Sequence, residues 1–263
     1  MYSKEHQIYL KNVKRKTIAI RIIQLLIITG FLVIWQVLAD KHIINTFITS
    51  SPKDVVNTIV NLNQDGSLWL HIGVTLYETL LSFLLGMVIG VLLATLFWWS
   101  DFTAKVMDPY LTIINSLPKV ALGPIIIIWA GASINSIIIM ALMISVIITI
   151  INVYDGFKST DVHKIRLLKS FGATKKQIFF KAVLPSNFAI MISSLKICTS
   201  MSLIGVVMGE FLVSKQGLGY LIMYGSQVFN LNLVMSGIIL LCVMAAVMYY
   251  IVSYIEKKLI KHD

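Results

Sequence analysis

Charged side chains are scarce in this sequence. They make up 13% of the 263 residues, whereas a soluble domain carries about 25%. So few charges cannot coat a soluble globule of this size. Disorder is excluded as well, because disordered chains are poor in apolar residues and 57% of this chain is hydrophobic. The composition therefore predicts a protein that crosses a membrane several times.

The sequence also has few of the residues that build catalytic or metal sites. Its two cysteines, Cys198 and Cys242, lie inside apolar runs without a CxxC pattern, which argues against a disulfide framework or a metal site. The five histidines are scattered, and neither an HExxH motif nor a pair of carboxylates is visible, which disfavours a membrane-embedded enzyme. We expect no catalytic residue, no cofactor and no metal in this chain.

Six apolar segments are long enough to cross a bilayer, since a transmembrane helix needs about 20 residues. Their ranges are 22–39, 72–100, 112–131, 135–153, 187–212 and 231–254. The third contains Pro118 and Pro124 and is predicted to kink, which neighbouring helices can tolerate in a membrane. The first is longer than the apolar run of about 7–15 residues in a signal peptide, the alternative interpretation. We predict an all-α membrane protein with six transmembrane helices.

Positive charge is in excess and unevenly distributed over the predicted loops. The N-terminal segment 1–21 carries six Lys or Arg, the loop 155–185 carries seven, and the tail 256–263 carries three. Because the cytoplasmic side of a membrane retains Lys and Arg, both ends of the chain are predicted to be cytoplasmic, with the membrane domain spanning 22–255. This asymmetry accounts for the net charge of +10 without a nucleic-acid partner.

Two loops contain helix signals. On the outer side, Ser51 and Pro52 have the order of a helix cap and first position, and Val55, Val56, Ile59 and Leu62 follow at helical spacing, which predicts a short interfacial helix with one apolar face. The simpler interpretation is that this segment only connects two spans and lies on the membrane.

The cytoplasmic loop 155–185 is longer than a connection between two spans requires. A basic helix is predicted over 164–171, ending at Gly172, because glycine enters the left-handed region easily. Thr174 and Gln177 have the spacing of a capping box, which opens a second helix that Leu184-Pro185 closes. Apolar residues among seven cations indicate either a docking surface for a protein or a basic helix on anionic lipid.

Three charges lie in or at the ends of predicted spans, where ionisable residues usually face a bundle interior or a cavity. Lys196 could attract an anionic substrate along a pathway, or it could snorkel or pair with a carboxylate such as Glu78. Glu78, near the outer end of the second span, is either that partner or an interfacial residue. Glu210, at the outer end of the fifth, belongs to an outer gate or is a solvated charge at a helix end.

The spacing of Gly172 and Leu184-Pro185 resembles the EAA loop of permease subunits in binding-protein-dependent ABC importers. In that motif, EAA is followed by three residues, Gly, nine residues, Ile, one residue and Leu-Pro. Nine residues separate Gly172 from Ala182, and Leu184-Pro185 follows after one more. The EAA positions hold Arg166-Leu167-Leu168, and Ala182 stands at the Ile position, so those elements are absent.

Further segments are similar to the nitrate, sulfonate and taurine branch of this family. They include 51–55, 65–71, 108–109, 117–118, 209–212 and 217–222. The resemblance covers about residues 20–255 and implies the type I importer permease (MetI-like) fold in a bacterial cell membrane. It also implies a function, namely a translocation pathway for a small solute.

The resemblance implies partners as well. A cytoplasmic ABC ATPase in two copies would use ATP and Mg²⁺, since this chain has no GxxxxGK phosphate-binding loop of its own. An extracytoplasmic binding protein, to which Glu210 could contribute a contact, would deliver the solute to a homodimer of this chain. The residues implied in ATPase coupling are Gly172, Ala173, Thr174, Lys175, Gln177, Ile178, Leu184 and Pro185.

The substrate implied by the branch is a small anion such as an aliphatic sulfonate, taurine or nitrate. The alternative is a thiamine-pyrimidine or other vitamin precursor carried by the same machinery. A more remote alternative is a secondary transporter that acts alone, which would normally show an internal repeat with discontinuous helices. No such repeat is visible.

Overall fold

Helices account for almost all of the structure. The computed structural model describes residues 4–259, and within that range no residue lies in a β-strand. Residues 1–3 of the predicted N-terminal segment and 260–263 of the predicted tail lie outside the described residues. The helices are α1 (Lys4–Asp40), α2 (Thr46–Thr49), α3 (Pro52–Gln64), α4 (Ser67–Trp99), α5 (Asp101–Ser116), α6 (Gly123–Ala130), α7 (Ile134–Lys158), α8 (Val162–Ser170), α9 (Lys175–Ile178), α10 (Leu184–Ser186), α11 (Phe188–Val213), α12 (Leu218–Gln227) and α13 (Leu231–Leu259).

Five of the six predicted spans are single helices that are long and apolar enough to cross a membrane. These helices are α1, α4, α7, α11 and α13. The predicted kink within 112–131 is confirmed but is sharper than expected, because α5 and the segment Lys119–Ala130 meet at 90°. Leu117 is extended at the break, as a residue before a proline prefers. A sixth span exists only if this bent pair crosses the membrane as one unit.

The core of the bundle is a three-helix contact between α4, α7 and α11. Glycines spaced four apart let these helices approach closely, as small residues do in membranes. A Cβ on Gly205 of α11 would lie 2.4 Å from the Cα of Ala141 in α7, and one on Gly86 of α4 would lie 2.6 Å from Ser145 Oγ. Larger residues at either glycine would separate the helices.

The first helix lies apart from this core. None of the most apolar window of α1 is buried, and its main contact within the chain is with α3, where Gln36 Oε1 accepts the Lys53 N–H at 3.0 Å. The 37 residues of α1 extend over about 55 Å, far more than the ~30 Å hydrocarbon core. Its basic N-terminal part therefore projects beyond the membrane.

The predicted outer helix is confirmed as α3. Ser51 accepts the Asp54 N–H, and Pro52 is the first helical residue. The helix packs on α13 and α4, with Val55 buried and Leu62 against the α12–α13 core. Val56 is 59% exposed and lies outside this packed face.

Candidate functional site

The loop between α7 and α11 folds into two short helices that meet at a glycine. We call residues 162–186 the elbow. The first helix, α8, ends before Gly172, which has a φ of +75°. The second begins at Thr174, whose hydroxyl accepts the Gln177 N–H while Gln177 Oε1 accepts the Thr174 N–H at 2.8 Å. The left-handed glycine and the capping box are both confirmed.

The elbow ends later than the sequence predicts. After α9, a π turn over Phe179–Val183 lets the Leu184 N–H donate to the Phe179 carbonyl. Pro185 then continues the helical path, since proline fits a first turn. The break comes at Asn187, whose side-chain amide donates to Thr160 Oγ1 at 2.6 Å and to the Val183 carbonyl at 2.8 Å. These bonds fix the end of the elbow to the end of α7.

One face of the elbow is buried against the spans. Ile178, Phe179 and Val183 pack with residues of α4 and α7, and the Phe179 ring lies 4.9 Å from the Trp98 ring and 5.5 Å from the Phe157 ring. Ile178, which the resemblance implied in ATPase coupling, is only 4% exposed. Ile178 therefore belongs to the buried face that anchors the elbow, and its part in ATPase coupling stays a prediction.

Lys175 makes a second connection between the elbow and α4. Its ammonium group donates to the Trp99 carbonyl at 2.7 Å and lies 5.5 Å from the centroid of the Trp98 ring. A cation at the carboxyl end of a helix is stabilised by the helix dipole. Lys175 thus links the start of α9 to the cytoplasmic end of α4.

The opposite face of the elbow carries exposed apolar side chains. Phe171 is 77% exposed and Phe180 is 54% exposed, with exposed Leu167 on α8. The exposed cations on the elbow are Lys164, Arg166, Lys169, Lys175, Lys176 and Lys181. Among the residues implied in coupling, Gly172, Thr174, Gln177 and Pro185 are exposed and Ala173 and Leu184 are half-buried. Phe171 and Leu167 were not singled out from the sequence, although apolar residues in a basic helix before a glycine are a usable signal.

Lys196 lies in the cytoplasmic half of α11, eight residues or about 12 Å from its start at Phe188. Its ammonium group forms an ion pair with Glu256 of α13 and lies 5.5 Å from the Tyr249 ring centroid. Ser193 donates to Glu256 at 3.0 Å. The suggested partner Glu78 is therefore wrong, because Glu78 lies in the outer half of α4 while Glu256 shares the cytoplasmic side with Lys196.

Four buried polar residues meet at the outer end of α11, namely His71, Thr75 and Glu78 of α4 and Glu210 of α11, and we call them the outer cluster. Glu210 is 1% exposed, and Glu78 is 2% exposed and lies one turn of α4 from Thr75, whose hydroxyl donates to Glu210. Glu210 Oε1 accepts from Thr75 Oγ1 at 2.6 Å, and Oε2 accepts the Gly219 N–H at 2.5 Å. A solvated Glu210 and an interfacial Glu78 are both wrong. The sequence suggested no paired carboxylates because these two residues are 132 positions apart.

The outer cluster caps the amino end of α12, which has no side-chain cap of its own. The Leu218 N–H donates to Thr75 Oγ1 at 2.7 Å, and the Gly217 N–H donates to His71 Nδ1 at 3.0 Å. Because the Gly219 N–H also donates to Glu210, three consecutive backbone N–H groups donate to side chains of α4 and α11. A Cβ on Gly217 would lie 2.2 Å from Glu210 Oε1, so only glycine fits there.

Comparison with known families identifies the chain. Residues 86–261 match the family described as "Binding-protein-dependent transport system inner membrane component". The chain belongs to this family. It is a permease component of a bacterial ABC importer and resides in the membrane as a multi-pass protein. Such permeases work with an ATPase and a substrate-binding protein. The importer interpretation is thus confirmed over the transporter that acts alone.

Relatives of this permease carry names of transport permeases, not of enzymes. The formylaminopyrimidine transport permease protein ThiX of Halalkalibacterium halodurans is 31% identical over 72% of this chain and 75% of its own length. An SsuC protein of Bacillus subtilis, named for aliphatic sulfonates transport, is 27% identical over 90% of this chain and 86% of its own length.

The fold of this permease matches a solved transporter. A chain in an inward-facing structure of the MetNI methionine ABC transporter superimposes with a TM-score of 0.65, covering 74% of this permease and 98% of the solved chain at 18% identity. The predicted MetI-like fold is confirmed.

Proposed function

We propose that the elbow is the docking element for a cytoplasmic ATPase and that the permease works as a homodimer with two copies of that ATPase. The observation that carries this proposal is the two-sided construction of the elbow. One face presents Phe171, Phe180 and Leu167 to solvent among cations, and the other face is packed on α4 and α7. A surface of this kind suits an apolar recess with an acidic rim.

The anchored face supports mechanical coupling. Phe179 packs between Trp98 of α4 and Phe157 of α7, and Lys175 donates to the last carbonyl of α4, that of Trp99. A displacement of the elbow by a partner would therefore be transmitted to two spans of the core. Gly172, Thr174 and Gln177 fix the angle between α8 and α9, and Leu184 and Pro185 carry the chain into α11.

The permease itself is proposed to bind no cofactor and no metal and to make no covalent bond. ATP and Mg²⁺ would be used by the partner ATPase, since the sequence has no GxxxxGK loop. The outer cluster brings His71, Glu78 and Glu210 together, and His71 and Glu210 are engaged in capping α12.

For the substrate we favour a small anion such as an aliphatic sulfonate, taurine or nitrate, delivered by an extracytoplasmic binding protein. This class is supported by the SsuC relative, which is named for aliphatic sulfonates transport and aligns with 90% of this chain. Lys196 lends it no support, since Glu256 neutralises its charge. A pyrimidine precursor is the second candidate, favoured by the 31% identity to a formylaminopyrimidine permease.

Docking is tested by recovering the ATPase with the tagged permease from native membranes in a gentle detergent. Phe171→Asp should reduce recovery at least tenfold, because it places a negative charge in the apolar contact while leaving the buried face intact. Phe229→Asp is the matched control, since Phe229 is 71% exposed and lies in the α12–α13 loop on the outer side. Equal recovery with both variants would overturn the docking assignment.

The substrate class is tested by uptake in cells that lack the permease gene and carry it on a plasmid. Labelled taurine or an alkanesulfonate should accumulate only when the gene is present. Accumulation of labelled formylaminopyrimidine instead would establish the second candidate, and uptake of neither would refute both.

A further inference from the structure

A cavity leads from the outer side to the outer cluster. Its volume is about 430 Å³, and Glu78 lies at its wall together with residues of the α6–α7 and α11–α12 loops. The polar members of that wall are Ser133, Ser214, Lys215 and Gln216. Glu78, although only 2% exposed, therefore borders a cavity at the outer side of the bundle.

The groups around the two carboxyls supply no balancing positive charge. On α4, His71 accepts a backbone N–H at Nδ1, so that nitrogen carries no proton. On α12, Tyr220 stacks on the His71 ring. The wall that α7 contributes consists of Ile134 and Ile137. Lys215 is exposed at the cavity, and among the side chains that the structure describes no cation forms an ion pair with either carboxyl.

Glu78 lies one turn of α4 from the Thr75 that binds Glu210, and both carboxyl groups are buried. They do not both stay ionised there, because neighbouring like charges repel strongly where water is excluded. Glu210 already accepts two hydrogen bonds, from Thr75 and Gly219, which favour its charged form. Glu78 Oε2 is buried without a hydrogen-bond partner. A proton on Glu78 removes one of the two charges and lets Glu78 donate to Glu210.

We propose that Glu78 and Glu210 form a proton-binding site that holds one shared proton, exchanges it with the outer medium through the cavity, and latches α12 to α4 and α11 while the proton is bound. Loss of the proton leaves two adjacent negative charges. Glu210 relieves their repulsion by moving away from Glu78, and this motion breaks its bonds to Thr75 and Gly219. The amino end of α12 is then released, independently of which substrate the permease carries.

The test is amide hydrogen exchange of residues 217–227 in the full-length permease in nanodiscs, measured at a series of pH values and corrected for the intrinsic exchange rate. If α12 is held in place only while one proton is bound, the protection of its amides from exchange should fall with rising pH. The expected fall is about tenfold for each pH unit above the pH at which that proton is lost. The α3 helix (Pro52–Gln64), on the same side but with its own Ser51 cap, is the internal reference and should not respond.

Two variants distinguish an effect of protonation from an effect of the substitution on folding. Glu78→Gln keeps a hydrogen-bond donor without a charge, so protection of 217–227 should stay high and independent of pH. Asp40→Asn changes an exposed outer carboxyl and should behave as the unchanged protein does. The proposal fails if the unchanged protein shows no pH dependence, or if Glu78→Gln retains it.

A second measurement covers the case in which Glu78→Gln does not fold. The chain contains only four glutamates, so ¹³C labelling of glutamate isolates their infrared bands in the unchanged protein. One protonated carboxyl band should be present at neutral pH and disappear as the pH is raised. Absence of this band at neutral pH would overturn the proposal that the two carboxyls share a proton.

Discussion

The elbow and the outer cluster both fasten a short helix to the spanning core, but they do so by different means. The elbow uses neighbours in sequence, such as the Thr174–Gln177 capping box, and buries the apolar Phe179. The outer cluster uses side chains from α4 and α11, His71, Thr75 and Glu210, to cap α12. The elbow takes its shape from local bonds and attaches mainly through apolar packing, whereas the outer cluster is polar and is assembled across the fold.

This difference predicts different responses to change. An apolar anchor responds to lost volume, because a cavity in a packed core is costly whatever the pH. A polar cap responds to charge and to added atoms, because its donors and acceptors have fixed positions. Each of the following substitutions is paired with a matched one, so that the comparison itself is tested.

The largest effect is expected from Phe179→Ala. Its ring is buried among Trp98, Phe157 and Ile178, and removal of a buried phenylalanine costs about 3–5 kcal/mol. The neighbouring Phe180 is 54% exposed, so Phe180→Ala should change stability by less than about 0.5 kcal/mol while lowering ATPase recovery. The free energy of unfolding in detergent micelles measures the first effect, and equal losses for the two variants would refute the two-sided elbow.

The sequence could predict the elbow because its determinants are close together. Gly172 marks the end of α8, and Thr174 and Gln177 mark the start of α9 within four residues. The sequence could not show which of Ile178, Phe179 and Phe180 is buried, because that depends on how α9 lies against α4 and α7. In the sequence Lys175 likewise looks like any exposed cation, and only the fold shows that it donates to the Trp99 carbonyl.

The outer cluster was harder to predict from the sequence than the elbow. Glu78 and Glu210 each have a simple interpretation as a charge near a helix end, and nothing local pairs them. The nearby Gly217 and Gly219 were a usable signal, since two glycines before an apolar helix indicate a close contact. The right-angle break at Leu117-Pro118 was underestimated for a related reason, because proline marks a change of direction without fixing its size.

The second effect in size is expected from Gly217→Ala. A Cβ at this position would lie 2.2 Å from Glu210 Oε1, and φ is +107°, so the substitution combines a clash with a strained backbone and should cost about 3 kcal/mol. Gly172→Ala is its counterpart in the elbow, with a φ of +75° and no heavy atom within 4 Å. Strain alone should cost about 1 kcal/mol there. Thermal unfolding of both variants in nanodiscs makes the comparison, and a larger loss for Gly172→Ala would contradict the packed cap.

The smallest effect on stability is expected from Lys175→Met, which keeps the apolar stem and removes the charge. The loss of its bond to the Trp99 carbonyl and of its contact with Trp98 should cost about 1 kcal/mol or less, since the side chain is exposed. Lys176→Met is the matched control, because Lys176 is exposed on the same helix. The informative readout is the reconstituted importer, in which Lys175→Met should weaken the link between ATP hydrolysis and transport more than Lys176→Met does. If the two variants transport the same amount of substrate per ATP, the link between α9 and α4 does not transmit the motion, and the apolar contact of Phe179 carries it alone.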